Sequence, residues 1–329
     1  MSHSATGPQP TDADRSAAEP GQVDAGARGR VDGGVPGPGV DAPLFSARLR
    51  PDLDEALEAF AARGRLLVGL DFDGVLAPIV VDPTTSRMLP ASADAVARLS
   101  ALPDVEVVLV SGRDAEDLAA LAGLPTGSRV VGSHGAQWGR VVTTPGGGAG
   151  LESDGVELSE SQAGLKAELL RETEALADGV DGAWVHAKPA AVVLHTRPAD
   201  PAAAEALTER VLAGPAARDG VHVLVGKQVV EMAVLEVTKG DAMVQLRQSL
   251  DVDAALYIGD DTTDEDAFVV LDATAHDLTI KVGEGPTAAA YRVTDPDEAS
   301  AVLLRLVELL EASRSPAGHE QDSRSSPEV

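Results

Sequence analysis

The stretch Leu66–Gly74, LLVGLDFDG, restricts the fold more than any other part of the chain. Four of the five residues Leu66 to Leu70 are apolar, the pattern of a strand buried on both faces, and Asp71, Asp73 and Gly74 follow where such a strand ends. A strand of that kind belongs in a parallel sheet covered by helices. Two carboxylates then share one turn. An aspartate there can attack a phosphorus or carbonyl centre, hold a hard cation, or simply cap the strand as an ordinary turn residue.

The neighbouring segments repeat the rhythm. A helix over about Pro51–Arg63 leads into the first strand, and a proline-interrupted segment, VLAPIVVDPTTSRMLP, follows it as a flap. A helix from about Ser92 to Ala101 precedes VEVVLVSGR, a second apolar run ending in Ser111, Gly112 and Arg113. A serine hydroxyl and free N–H groups at such a strand end can bind a phosphate oxygen. The next helix spans Asp114–Leu121, and a short strand, RVVGSHG, carries His134 into a loop. Strand, helix, strand, helix, strand implies right-handed parallel crossovers.

The pattern changes after Thr143. A glycine-rich linker over Thr143–Gly150 leads to a helix within Val156–Ala177, strands over Trp184–Arg197, a helix over Asp200–Leu212 and a hairpin turning at Gly226 and Lys227. This block reads as an α+β domain inserted in the parallel sheet. Alternation returns with VTKGDAMVQLRQSL, where Lys239 opens a helix. A lysine is disfavoured there by the helix dipole, and a bound anion would account for it. The strand AALYIGDD then runs into Asp260, Asp261, Asp264, Glu265 and Asp266. Helix capping explains part of this cluster; a divalent cation explains Asp260 and Asp261. The strand LTIKV, a short YRV and a helix over Asp297–Ala312 close the domain. The expected organisation is a disordered tail over 1–45, a discontinuous core over 46–145 and 236–312, an inserted cap over 146–235, and a disordered tail over 313–329.

Composition narrows the chemistry. A formal charge of −27 repels nucleic acid and anionic membranes, and 2% aromatic residues leave no stacking platform for single-stranded nucleic acid. The chain has no Cys, which excludes thiolate metal sites, disulfides and cysteine nucleophiles. No run reaches the roughly 18 apolar residues of a membrane span, so a cytoplasmic location is expected.

Asp71 with Asp73, Ser111, Lys239 and Asp260 with its neighbours thus fall at ends of predicted parallel strands, or at the start of the helix leading to one. In an open α/β sheet these loops converge. Together they can transfer a phosphoryl group: carboxylates hold Mg²⁺, Ser111 and Lys239 hold phosphate oxygens, and an aspartate is the nucleophile.

In order, these four motifs resemble those of the haloacid dehalogenase-like phosphatases, and DFDGVLAPI, VSGR, SHGA and GDDTTDEDAF are similar to the trehalose-phosphatase family. The resemblance implies a Rossmann-like parallel-sheet α/β core with an inserted α+β cap, and Mg²⁺-dependent hydrolysis of trehalose 6-phosphate. Asp71 would be the nucleophile and Asp73 the general acid and base. Asp71, the carbonyl of Asp73 and Asp260 would ligate Mg²⁺, with Asp261 and Asp264 orienting the site. Ser111, Gly112 and Lys239 would hold phosphate, and Arg113, His134, Lys188, His195, Arg197 and Glu231 would meet the sugar. His186 stands where the family pattern has an acidic residue, and Ala233 and Val234 where it has Arg-Pro. The pathway neighbour would be a trehalose-6-phosphate synthase. The alternatives are a phosphatase or phosphomutase for another sugar phosphate and a non-catalytic regulatory relative. A calcium loop is disfavoured because GDDTTDEDAF lacks EF-hand spacing and its central Gly.

Overall fold

The computed structural model describes residues 49–314; the tail expected over 1–45 and residues 315–329 lie outside them. Helix α1 (Pro51–Ala61) starts on a proline, carries Asp52 and Asp54 in its first turn, and buries Leu53, Leu57 and Phe60. Next come β1 (Leu66–Leu70), α2 (Pro90–Ser100), β2 (Val105–Val110), α3 (Ala115–Ala122), β3 (Arg129–Gly132), β4 (Gln137–Thr143) and β5 (Ala149–Ser153). A second block holds α4 (Glu160–Ala177), β6 (Trp184–Ala187), β7 (Ala191–His195), α5 (Pro201–Ala213), β8 (His222–Gly226) and β9 (Val229–Ala233). The chain returns with α6 (Lys239–Leu250), β10 (Ala254–Gly259), α7 (Glu265–Val270), β11 (Leu278–Val282), β12 (Tyr291–Val293) and α8 (Pro296–Arg314). Ser313 and Arg314, expected in the C-terminal tail, still belong to α8.

The first and third groups build one eight-stranded sheet in the order β12-β11-β10-β1-β2-β3-β4-β5. Its first six strands are parallel, as the apolar runs imply, and β4 and β5 are antiparallel. Strand β1 is central, with Leu70 paired to Ile258 on one side and Leu109 on the other. That register brings Asp71, Ser111 and Asp260 to one edge. Leu66, Val68 and Leu70 pack with the apolar faces of α1, α2 and α8, whereas Leu67 joins Met243 and Leu246 of α6. A Cβ on Gly69 would stand 2.7 Å from the sulfur of Met243, so glycine lets α6 approach β1.

The glycine-rich segment is a hairpin turn rather than a linker. Val141 pairs with Leu151, and Gly147 adopts φ +83 in the turn between them, so the sheet extends to Ser153, past the boundary expected at 145. The apolar alternation of β5 is too short to stand out from its glycines.

The second block forms its own antiparallel sheet, β6-β7-β9-β8. One face, with Val192, Leu194, Val230 and Met232, packs on Leu169 of α4 and Leu207 and Val211 of α5. Helix α4 begins only at Glu160 because Ser159 and Gln162 form a capping box there. No helix among the described residues is long and apolar enough to cross a membrane.

Leu306 of α8 is fully buried in the layer beneath β1. Leu306→Ala is expected to lower unfolding free energy by about 2–5 kcal/mol, read from the urea midpoint at an unchanged slope.

Candidate active site

Asp71 leaves β1 with its N–H donating to the carbonyl of Ile258 at 3.0 Å, which fixes the residue at the sheet edge. Its carboxylate is buried. Oδ1 accepts from the N–H of Phe72 at 2.7 Å and Oδ2 from Lys239 Nζ at 2.8 Å. Lys239, 1% exposed, is the first residue of α6, held there by a capping box between Thr238 and Asp241. Its ammonium also donates to Asp264 Oδ1 at 2.7 Å. Asp264 accepts further from the Tyr257 hydroxyl and from the N–H groups of Asp260 and Asp261. The Asp264 carboxylate is therefore saturated, and it braces the turn after β10.

Asp260 differs. Among the described residues its carboxylate accepts no hydrogen bond, and it leans over Gly74, where φ is +80 and a Cβ would fall 2.1 Å from Asp260 Oδ2. The chain needs glycine here for both reasons. Oxygens of Asp71, Asp260 and Asp264 all lie within 4.8 Å of one another. Burial pushes the Asp71 carboxyl up to about 8, with Lys239 opposing and Asp264 and Asp260 adding to the rise. Burial, followed by the charge of Asp264, carries Asp260 to about 7. Burial also works on Asp264, but Lys239 and the turn N–H of Asp261 hold it below the usual carboxylate range. Hard oxygen donors, crowded negative charge and one carboxylate without a partner fit a divalent hard cation between Asp71 and Asp260. Lys281 of β11, buried, donates to the Asp260 carbonyl from below. The sequence signal for Lys281 is slight: one lysine in an apolar strand.

Asp73 stands on the other side of the turn. Arg113 grips it through Nε to Oδ2 (2.5 Å) and Nη2 to Oδ1 (2.8 Å), while Ser86 of the flap donates to Oδ1 at 3.0 Å. Arg113, expected on the sugar, is thus committed to Asp73 and to the carbonyl of Pro83. Asp73 keeps its carboxylate outside the acidic group. Ser111 is buried beside Gly112, its Oγ accepting from the Arg113 N–H at 3.3 Å.

The second sheet meets this edge through polar contacts. Lys188 Nζ donates to the carbonyl of Gly112 at 2.9 Å and to Glu231 Oε2 at 2.8 Å. His186 Nε2 lies 3.2 Å from Asp114 Oδ2, and Arg197 donates to the carbonyl of Val81. His195 lies beneath the indole of Trp184, at 3.8 Å between ring centres. A cavity of about 280 Å³ opens beside these contacts, lined by His134, Glu231, Leu224, Lys239 and Asp266. The structure therefore gathers Asp71, Asp73, Ser111, Lys239, Asp260 and Asp264 around one edge, with Lys188, Glu231 and His134 adjoining. Tyr257, Ser86 and Asp114 join the site without having been singled out in the sequence.

His134 holds φ 56, with its ring against Gly112 and Nδ1 without a hydrogen bond. Burial, then the charges of Lys239 and Lys188, bring it down from 6.5 to about 3. The unfolded chain takes up this proton near pH 6.5, whereas the folded protein resists until near 3, so this residue's contribution is lost as pH falls through that window. His134→Asn suits the left-handed backbone and removes the titration. Its stability, from urea midpoints at about pH 7.5 and about pH 4.5, is expected to fall less on acidification than that of the parent protein.

The family model described as trehalose-phosphatase matches residues 69–297. A bifunctional trehalose-6-phosphate synthase/phosphatase of Thermoproteus tenax is 34% identical over 247 residues, a match that covers 74% of this chain and 32% of that protein. A probable trehalose-phosphate phosphatase 4 of Oryza sativa subsp. japonica is 32% identical over 301 residues, covering 84% of this chain and 79% of its own length. Among solved structures, a trehalose-6-phosphate phosphatase related protein is 27% identical with a TM-score of 0.59, covering 75% of this chain and 100% of its own. The family match takes in β1 from Gly69, the acidic turn after β10 and the whole second sheet, and by it the chain belongs to the trehalose-phosphatase family of phosphoric monoester hydrolases.

Proposed function

We propose that this protein hydrolyses trehalose 6-phosphate to trehalose and phosphate through an aspartyl-phosphate on Asp71, with Mg²⁺ as cofactor. The observation that carries this reading is the Asp71 carboxylate fixed by Lys239 beside the unpartnered Asp260, with Asp73 two residues on.

An Asp71 oxygen attacks phosphorus, and the bond to the sugar oxygen breaks as Asp73 donates a proton to that oxygen. Arg113 must withdraw from Asp73 for this step. Asp73, ionised again and still free of Arg113, then takes a proton from a water that attacks the aspartyl-phosphate, releasing phosphate and freeing Asp71. Ser111, the Gly112 backbone and Lys239 hold the phosphoryl oxygens as charge builds on them. Asp71, Asp260 and the Asp73 carbonyl would hold Mg²⁺, which when bound offsets the negative charge of carboxylates and phosphate. Asp261 and Asp264 keep the turn and Lys239 in place.

The block built on β6–β9 acts in this reading as a cap that closes over the sugar and excludes water. In this reading Lys188, Glu231 and Arg197 exchange their present partners for sugar hydroxyls. The bifunctional relative, by its name, joins a synthase to a phosphatase, which supports a synthase as the source of substrate.

The test is phosphate release from trehalose 6-phosphate, sucrose 6-phosphate and glucose 6-phosphate, with Mg²⁺ or after chelation. Metal-dependent preference for the first is expected; preference for another sugar overturns the substrate, and silence on all three favours the regulatory alternative. Asp71→Asn is expected to lose turnover at least about a thousandfold while keeping a cooperative melt, because an amide cannot form the acyl phosphate. Retained turnover in that variant removes Asp71 as nucleophile.

A further inference from the structure

One face of the second sheet is covered by its own helices; the other is turned to the core loops, with Val193 and Glu231 buried there and Trp184 exposed at the edge. Val185, Val192, Leu194, Val230 and Met232 point to α4 and α5. The strand register puts Trp184, His186, Val193, His195 and Glu231 on the other side, where Trp184 pairs with His195 and His186 with Val193. That face looks toward the core loops, since His186 meets Asp114 and Lys188 meets the Gly112 carbonyl.

Trp184 is the one indole on this face. The chain has only two tryptophans, and the other, Trp138, lies in the core sheet with its N–H on the Gly135 carbonyl. Trp184 is 48% exposed. Its ring lies 9° from parallel over the His195 imidazole at 3.8 Å, so it is held flat from below and open above. His195 offers no polar contact in return: its Nε2 is buried without a hydrogen bond, and burial keeps the ring uncharged down to about 4. The imidazole therefore backs the indole. Trp184 opens the edge strand β6, and its indole is the exposed aromatic surface at that edge, next to the polar side chains of His186 and Lys188.

Position supplies the ligand. Lys188, His186 and Trp184 follow one another at alternate residues along β6 and its end, so Trp184 lies about 13 Å from Lys188 along the strand. A sugar anchored by its phosphate at Ser111 would carry its first ring between Lys188 and His186. A second ring would then extend outward to the indole. Pyranose rings carry a C–H-rich face that stacks on tryptophan as other flat apolar surfaces do.

We propose that Trp184, backed by His195, is a specificity-determining platform on which the unphosphorylated pyranose of a two-ring sugar phosphate stacks. This deepens the proposed function and rests on it for the place of the phosphate. It also changes the expected part of His195 from a sugar ligand to a positioning residue.

The experiment compares parent protein, Trp184→Ala and Trp184→Phe, full length with Mg²⁺, on trehalose 6-phosphate, sucrose 6-phosphate and glucose 6-phosphate, with a tryptophan-fluorescence titration by trehalose. For the two-ring phosphate that the parent hydrolyses, Trp184→Ala is expected to raise KM about tenfold or more, the scale of losing one stacked aromatic. Its kcat should stay within about twofold, and KM for glucose 6-phosphate should not move. Trp184→Phe should recover most of the loss. Trehalose should change the fluorescence of the parent and not of Trp184→Phe. Equal losses on one-ring and two-ring substrates, or an unchanged KM for the two-ring substrate, overturn the platform and leave the proposed function standing. A parent protein that hydrolyses no two-ring phosphate overturns both.

Discussion

The ammonium of Lys239 ties together three places that are far apart in the chain: the end of β1 through Asp71, the turn after β10 through Asp264, and the first residue of α6. Its position is unfavourable twice over, being buried and at the positive end of a helix dipole. The two carboxylates answer both difficulties, and Thr238 and Asp241 satisfy the helix start independently. Such a buried triad adds little to net stability compared with an apolar one. What it does is fix geometry, because any relaxation that separates the charges strands one of them without solvent. The packing agrees: a Cβ on Gly240 would come within 2.4 Å of the Asp266 carbonyl, so α6 begins against α7 with no slack.

One cation does not balance the carboxylates around it. The turn after β10 brings Asp260, Asp261, Asp264, Glu265 and Asp266 together in a chain already at −27. The structure divides them by task. Asp264 points inward and takes four hydrogen bonds, Asp261 caps the short turn that follows, and Glu265 accepts from the N–H of Ala288. Lys281 reaches under the turn from β11 to its carbonyls. Asp266 is exposed to solvent, whereas Asp260 is partly buried, accepts no hydrogen bond among the described residues, and faces Asp71. The site is thus short of positive charge at the point where a phosphate would add more negative charge, and Mg²⁺ would supply it.

Much of this was legible in the sequence because it is local. A buried strand followed by a polar turn declares itself in a few residues, so β1, β2 and β10 and the aspartates, Ser111 and Lys239 at their ends stand out in LLVGLDFDG, VEVVLVSGR and AALYIGDD. What stayed hidden is set by partners distant in the chain. Leu151 makes a strand because Val141 offers an edge to pair with, and its glycine-rich surroundings conceal this. Arg113 is a free cation in the sequence and becomes the grip on Asp73 only when β1 and β2 are neighbours. Tyr257 reads as one more apolar strand residue until its hydroxyl meets Asp264.

The two sheets are joined by interactions of a different kind from those within them. Inside each, apolar side chains are excluded from water and separation is costly. Between them, Lys188 meets the Gly112 carbonyl, His186 meets Asp114 and Arg197 meets the Val81 carbonyl, all contacts that water or sugar hydroxyls can replace at small net cost. His186 shows how the two sides are matched. An acidic side chain at this position would face Asp114 as a like charge; the imidazole instead sets Nε2 3.2 Å from the Asp114 carboxylate. His186 is therefore one half of a pair whose other half lies in the core, and the same polar seam that holds the second sheet over the site leaves it able to exchange those partners for a ligand.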